Sequence, residues 1–338
     1  MKKYITITGY GIVAREFIGL INEKREELKE KYELDLILKA IIGTLGIIED
    51  EKGIDISLLL QLPLGSEGLS EYGKVKNIAI KAEKHPVGDI LVECTPTNIE
   101  TGQPALDYIY SAIDSNMDLV VASKGALVRE YKEINKRVKE KKIKLKFSCA
   151  TAAALPTLNL GLECLAGAKI TSIKGIFNGT SNFILSSMME NKISYDKALE
   201  IAKEKGIVER NISLDVSGMD TACKIILISN MVLKANLAIR DVDIKGIENI
   251  DLREVEEALS NNCVIKLIGR CDIQGGKIKI KVSPERIHNK DQFSLVNYSN
   301  KAISFISEET GEIFCSGGAS NPRAAAYSIL KDIINMYS

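Results

Sequence analysis

At 338 residues the chain is long enough for about two domains of roughly 150 residues each. Its 45% hydrophobic and 27% charged residues exclude the disordered, collagenous and low-complexity classes and allow a sizeable core. Lys plus Arg and Asp plus Glu both total 45, so no basic excess recruits nucleic acid or an anionic membrane.

No apolar run approaches the roughly 18–20 residues that a bilayer requires. Met1-Lys2-Lys3 leads straight into a strand pattern, unlike a signal peptide. The seven cysteines are odd in number and form no CxxC pair, which predicts reduced thiols in a cytoplasmic protein rather than disulfides or structural zinc. With only His85 and His288 present, no histidine-based metal site or triad is expected.

Tyr4–Thr8 alternates as a strand and ends at Gly9-Tyr10-Gly11. Ile12–Tyr32 then carries Ile12, Val13, Phe17, Ile18 and Ile21 at helical spacing. Leu34–Ile42 reads as a strand largely buried on both faces, and Ile90–Val92 and Leu119–Val121 read alike. Ile143–Phe147 alternates as a strand with one wet face. Strands alternating with helices over about 150 residues predict an α/β fold built on a doubly wound parallel sheet. The second half predicts a helix over about 151–166, a strand over Lys169–Phe177 and three helical segments between 180 and 235. Two hairpins follow, Cys263–Asp272 with Lys277–Ser283 and Ala302–Ile306 with Glu312–Cys315, then an amphipathic helix over Asn321–Met336. No repeat or Pro-rich linker is present, so the join near 150 reads as a packed hinge.

Gly9-x-Gly11-x-x-Ala14 stands between a strand and a helix, the context in which such a turn binds a dinucleotide. The first glycine makes the turn. The second lets the N–H groups at the helix start, around Ile12 and Val13, approach a pyrophosphate. The same turn also occurs in sheets that bind nothing. The usual companion, an acid at the end of the second strand, is missing from Ile41-Ile42-Gly43-Thr44, and no Arg replaces it, so NAD against NADP stays open. Glu93-Cys94-Thr95-Pro96-Thr97 and Ala122-Ser123-Lys124-Gly125-Ala126-Leu127 close two strands at the edge where ligands bind. Lys124 reads equally as a cation at the nicotinamide or as a surface lysine before a helix. Asn178-Gly179-Thr180 joins a strand to a helix and could simply cap it. Asp220 and Lys224 are one helical turn apart among apolar neighbours, which argues for a buried pair rather than a solvated one.

Together these residues resemble the homoserine dehydrogenase family. The match rests on the glycine turn, Ser123-Lys124-Gly125-Ala126-Leu127, the run Gly175-Ile-Phe-Asn-Gly-Thr-Ser-Asn-Phe-Ile-Leu185, and Glu209, Asp215, Asp220 and Lys224 in order and spacing. The resemblance runs from residue 5 to about 335. It implies a Rossmann-type nucleotide-binding domain over 1–150 with 310–338, and an α+β substrate and dimerisation domain over 151–309. It also implies interconversion of homoserine and aspartate 4-semialdehyde with NAD or NADP, on the route to threonine and methionine, in a homodimer.

By the same resemblance Glu209 and Asp220 hold the substrate's amino group and hydroxyl, with Asp215 beside them. Lys224 transfers the proton, and Lys124 stands beside substrate and nicotinamide. Asn178, Gly179 and Thr180 face the substrate. The coenzyme lies against Gly9, Gly11, Ile12, Val13, Thr95, Ser123, Lys124 and Gly206, with Gly317 and Gly318 in a glycine-rich return to the nucleotide domain.

Several positions depart from the family pattern. Arg210-Asn211-Ile212 replaces a Pro-Asp-Pro-like run, and Ser316 and Ser320 replace glycines. Ser148 or Cys149 stands where some members carry the glutamate that helps bind a monovalent cation, so such a cation lacks its usual ligand here. The 338 residues leave no room for the regulatory domain of the longer members, so end-product inhibition through such a domain is not expected. With no histidine in a motif, the proton-transfer group is expected to be a lysine whose pKa is lowered by burial and a neighbouring cation, as Lys224 and Lys124 would be for each other. Two alternatives stay open: a diverged dehydrogenase of another amino alcohol or semialdehyde, and a non-catalytic NAD(P)-sensing module.

Overall fold

The computed structural model describes residues 1–208 and 212–337. They divide into two compact units, Met1–Ala150 with Asn321–Ser338 and Thr151–Ser320.

The first unit is a six-stranded sheet in the order β3-β2-β1-β4-β5-β6. Its strands are β1 (Lys2–Thr8), β2 (Asp35–Gly43), β3 (Gly46–Glu49), β4 (Ile90–Glu93), β5 (Asp118–Val121) and β6 (Leu145–Lys146). All neighbours run parallel except β3, which returns along β2 after the two-residue turn Thr44-Leu45. Strand order reverses between β1 and β4, so the crevice beyond their carboxyl ends is the natural ligand edge. Ile5, Ile7, Ile90 and Val92 share one buried cluster with Phe17 and Ile21 of helix Ile12–Glu23 and with Ile329 and Ile333 of helix Pro322–Tyr337. The expected α/β architecture is present.

Its details differ from the sequence reading. The helix expected over Ile12–Tyr32 breaks at Lys24 into Ile12–Glu23 and Arg25–Tyr32. Beyond Ile21 the residues are nearly all charged and Leu28 is the buried one, so the apolar stripe that holds the first helix to the sheet runs out. β2 is buried on both faces only at its far end, because Ile37 and Lys39 stay half-exposed. Of Ile143–Phe147 only Leu145–Lys146 joins the sheet, as an edge.

The second unit is a mixed sheet in the order β12-β11-β7-β9-β10-β8. It comprises β7 (Ile170–Ile176), β8 (Val242–Ile244), β9 (Cys263–Gln274), β10 (Lys277–His288), β11 (Lys301–Ser307) and β12 (Gly311–Gly317). β8 runs parallel to β10 and the other pairs are antiparallel. The β9–β10 turn is Gly275-Gly276, both at positive φ, as a two-residue hairpin demands. The β11–β12 hairpin keeps the chain in this unit through Ser320, so the return to the first unit begins at Asn321 rather than 310. The continuous helix expected over 151–166 is instead Ser148–Ala152, Thr157–Asn159 and a wide turn over Leu160–Cys164. Ala153 at φ 51 and Pro156, which lacks an N–H, interrupt it.

Lys266 is 1% exposed and donates to Val296 O (2.6 Å) and Asn297 Oδ1 (2.9 Å), while Asn182 Nδ2 donates to Val296 O and Tyr298 O, both at 2.9 Å. Together they clamp the 296–300 loop against helix Gly179–Asn191. Burial pulls the Lys266 ammonium down to about 8. Between that value and the ordinary lysine range the unfolded chain binds the extra proton, so this group's contribution to stability rises with pH across the window. The melting temperature of the wild type minus that of Lys266→Met should therefore increase from pH 8 to pH 10. A flat difference in melting curves would remove the assignment.

Candidate active site

In the first unit the site begins at the β1 turn. Gly9 sits at φ 79, and a Cβ there would stand 2.8 Å from the Cys94 carbonyl oxygen, so glycine is required on both counts. Gly9 N donates to Ile42 O (2.9 Å), which fastens the turn to the end of β2. Gly11 has nothing within 4 Å of its would-be Cβ and supplies no side-chain cap to helix Ile12–Glu23. The missing side chain leaves an open cradle at a helix N-terminus, and Ile12 beside it is 58% exposed while Ala14 is fully buried. Turn, cradle and uncapped N–H groups fit a dinucleotide pyrophosphate.

The β4 and β5 ends are joined by a residue absent from the sequence-based site. Glu93 is fully buried and accepts from Thr95 N (2.7 Å), Thr95 Oγ1, Ser123 Oγ (2.5 Å) and Ser123 N (3.4 Å). Thr95 and Ser123 thus turn their hydroxyls to this carboxylate. Burial raises the Glu93 pKa against the opposing pull of those hydrogen bonds. An acid closing a run of buried Ile-Leu-Val was the available signal. The neighbouring Cys94 thiol is pushed well up by burial first, then by Glu93 and Cys149. Lys124 follows directly, its N–H donating to Thr97 Oγ1 (3.3 Å). A Cβ on Gly125 would fall 2.1 Å from Asn98 O, so the 95–102 loop lies directly on the start of helix Gly125–Lys141.

In the second unit Asn178 is the N-cap of helix Gly179–Asn191, its Oδ1 accepting from Ser181 N (2.8 Å). Its Nδ2 donates to Asp215 Oδ1 (2.6 Å) and Asp220 Oδ2 (2.8 Å). Lys224 Nζ donates to the same Asp220 oxygen (2.6 Å) and to Phe177 O (2.8 Å). The Lys224 and Asp220 side chains are 15% and 11% exposed, so the pair is sheltered, as their apolar neighbours suggested. Helix Met219–Leu233 is buried almost all round and holds both rigidly.

Asn178 therefore caps a helix and also bridges two carboxylates. Gly179 lets the 296–300 loop approach, since a Cβ there would meet Ser299 O at 3.0 Å, and Thr180 is half-exposed beside it. Gly206 lies exposed at φ 66 after helix Tyr195–Glu204. Gly317 ends β12, and Gly318, at φ 76, approaches Leu155 N so closely that a Cβ would stand 2.7 Å away. Glu209, with Arg210 and Asn211, lies outside the described residues. Ser148, at the expected cation position, donates through N (2.8 Å) and Oγ (2.7 Å) to buried Asp332.

A doubly wound sheet with this glycine turn, together with a second α+β unit carrying a sheltered Lys–Asp pair, defines an NAD(P)-dependent oxidoreductase. The family profile of homoserine dehydrogenases matches residues 156–334. A homoserine dehydrogenase of Methanocaldococcus jannaschii is 32% identical, covering 99% of this chain and 98% of its own. An NAD(+)-dependent homoserine dehydrogenase of Pseudomonas canavaninivorans is 29% identical over 100% and 97%. A crystal structure from Archaeoglobus fulgidus, described as a candidate homoserine dehydrogenase, superposes with TM-score 0.85 at 26% identity over 99% of both chains. The chain belongs to the homoserine dehydrogenase family, and its reaction is the NAD(P)-dependent interconversion of L-homoserine and L-aspartate 4-semialdehyde.

Proposed function

We propose that Lys224 is the proton-transfer group of this reaction, and the observation that carries the reading is its sheltered bond to Asp220. Held as a donor to Asp220, Lys224 is oriented to give a proton to the aldehyde oxygen in the reducing direction. The amine left behind takes the hydroxyl proton back in the oxidising direction. Bound coenzyme supplies or accepts the hydride at the same carbon. Asp220, held by Asn178, fixes the direction of Lys224, and Asp215 completes the polar wall. Lys124 serves as the second cation at the nicotinamide. Gly9, Gly11, Ile12 and Val13 cradle the pyrophosphate, with Thr95 and Ser123 shaping the nicotinamide edge and Gly206, Gly317 and Gly318 offering backbone contacts. Both coenzymes are accepted with a lean to NADP. The protein acts in the cytoplasm as a homodimer joined through the second unit.

The test is reduced-coenzyme absorbance with homoserine, then with a panel of other amino alcohols. Turnover confined to homoserine is expected, and a preference for another alcohol would overturn the substrate assignment. Glu209→Gln should raise the KM for homoserine far more than that for coenzyme, because the amide weakens a charge-assisted bond to the substrate ammonium. Equal effects on both constants would make Glu209 structural.

A further inference from the structure

We propose that Lys84, with the hydroxyls of Thr44 and Ser66, receives the 2′-phosphate of NADP(H) and sets the coenzyme preference of this chain. The proposal rests on the reading of the Gly9–Val13 turn as the pyrophosphate site. In a doubly wound sheet the adenosine ribose lies beyond the end of β2, where a carboxylate selects NAD and a cation accommodates NADP.

Here β2 ends at Gly43 and the next residue is Thr44. Thr44 Oγ1 hydrogen-bonds Ser66 Oγ, which stands in the first turn of helix Gly65–Lys76. Gly65 N donates to Tyr10 O (3.0 Å), so that helix start is tied directly to the glycine turn. Lys84 arrives from forty residues away and donates to Thr44 O (2.8 Å). One ammonium and two hydroxyls are thereby gathered on the turn that the ribose would meet.

The charges nearby support the same assignment. Glu49, the acid closest along the chain that could grip a ribose, pairs with Lys39 (3.6 Å) and Lys81 (3.2 Å). Asp50 Oδ1 accepts from Lys52 N (2.9 Å) within its own turn. Lys84 bonds to a neutral carbonyl, and among the described residues it forms no ion pair, including with exposed Glu67 and Glu83. Thr44 and Lys84 are exposed, so a phosphate can take the place of their present partners without breaking a buried contact. A dianion there gains a full charge partner and two hydroxyl donors, whereas the 2′-hydroxyl of NAD gains no carboxylate.

NADPH, NADH and adenosine 2′-monophosphate would be titrated into the wild type, Lys84→Ala and Lys84→Glu by coenzyme fluorescence and its competition. Lys84→Ala should weaken NADPH and the 2′-monophosphate by about tenfold or more while NADH stays within about twofold, and Lys84→Glu should weaken them further. Parallel loss of NADPH and NADH, or no change in NADPH, would overturn the assignment. So would a wild type that binds NADH more than about tenfold tighter than NADPH. A wild type that binds both coenzymes but oxidises no homoserine would sink the proton-transfer reading and leave this one standing. One that binds neither coenzyme would end both.

Discussion

Lys224→Ala should lower turnover with homoserine by about 10²–10⁴-fold, the range for loss of a positioned acid–base group. Coenzyme affinity should stay nearly unchanged, because the glycine turn belongs to the other unit and makes its own hydrogen bonds. Removing the ammonium also breaks the sheltered Lys224–Asp220 pair, a loss that costs up to about 3–5 kcal/mol where a pair is fully buried. The 15% and 11% exposures of the two side chains place this case below that limit. Steady-state rates, coenzyme titration and a melting curve on one preparation separate the effects. Near-normal turnover in a folded variant would remove Lys224 from the chemistry.

Glu93→Gln should be the most damaging near-isosteric change in the first unit. A carboxylate is acceptor-only, and here it takes four donors, two from the chain after β4 and two from the chain after β5. A glutamine turns an NH2 group toward one of those pairs. The hydroxyl can rotate to accept from it, but the backbone N–H cannot, and one buried donor loses its partner. That costs about 1–3 kcal/mol. The displaced segment carries either Thr95 or Ser123 with Lys124, so the KM for coenzyme should rise by more than that for homoserine. A variant with wild-type melting temperature and unchanged KM for coenzyme would show that the carboxylate positions nothing.

The parallel strands were legible because short apolar runs such as Ile90-Leu91-Val92 have little else to become, and because Gly9 marks where the first one stops. β3 was not legible, since Gly46-Ile-Ile-Glu49 is only four residues after a tight turn and shares the apolar character of β2. Helix Leu252–Ser260 also escaped, although Asp251 accepting from Glu254 N (2.8 Å) is a cap that Asp-x-x-Glu spells out. In the site, Asp220 and Lys224 could be paired from helical spacing alone. Asp215 could not, because its partner Asn178 lies 37 residues upstream and only the fold brings them together. Glu93 and Lys84 escaped for the same reason: their partners Ser123 and Thr44 are 30 and 40 residues distant.

Helix Pro322–Tyr337 lies in the same core as β1, yet the chain reaches it only after the whole second unit. Ala326, Ile329, Leu330, Ile333 and Met336 fill that core, and Asp332 supplies the acceptor for Ser148. Synthesis therefore delivers the whole second unit before the first can close. Through most of translation the nascent sheet must wait with its apolar flank uncovered, a window in which holding chaperones would act. Arrival of this helix completes the core of the first unit.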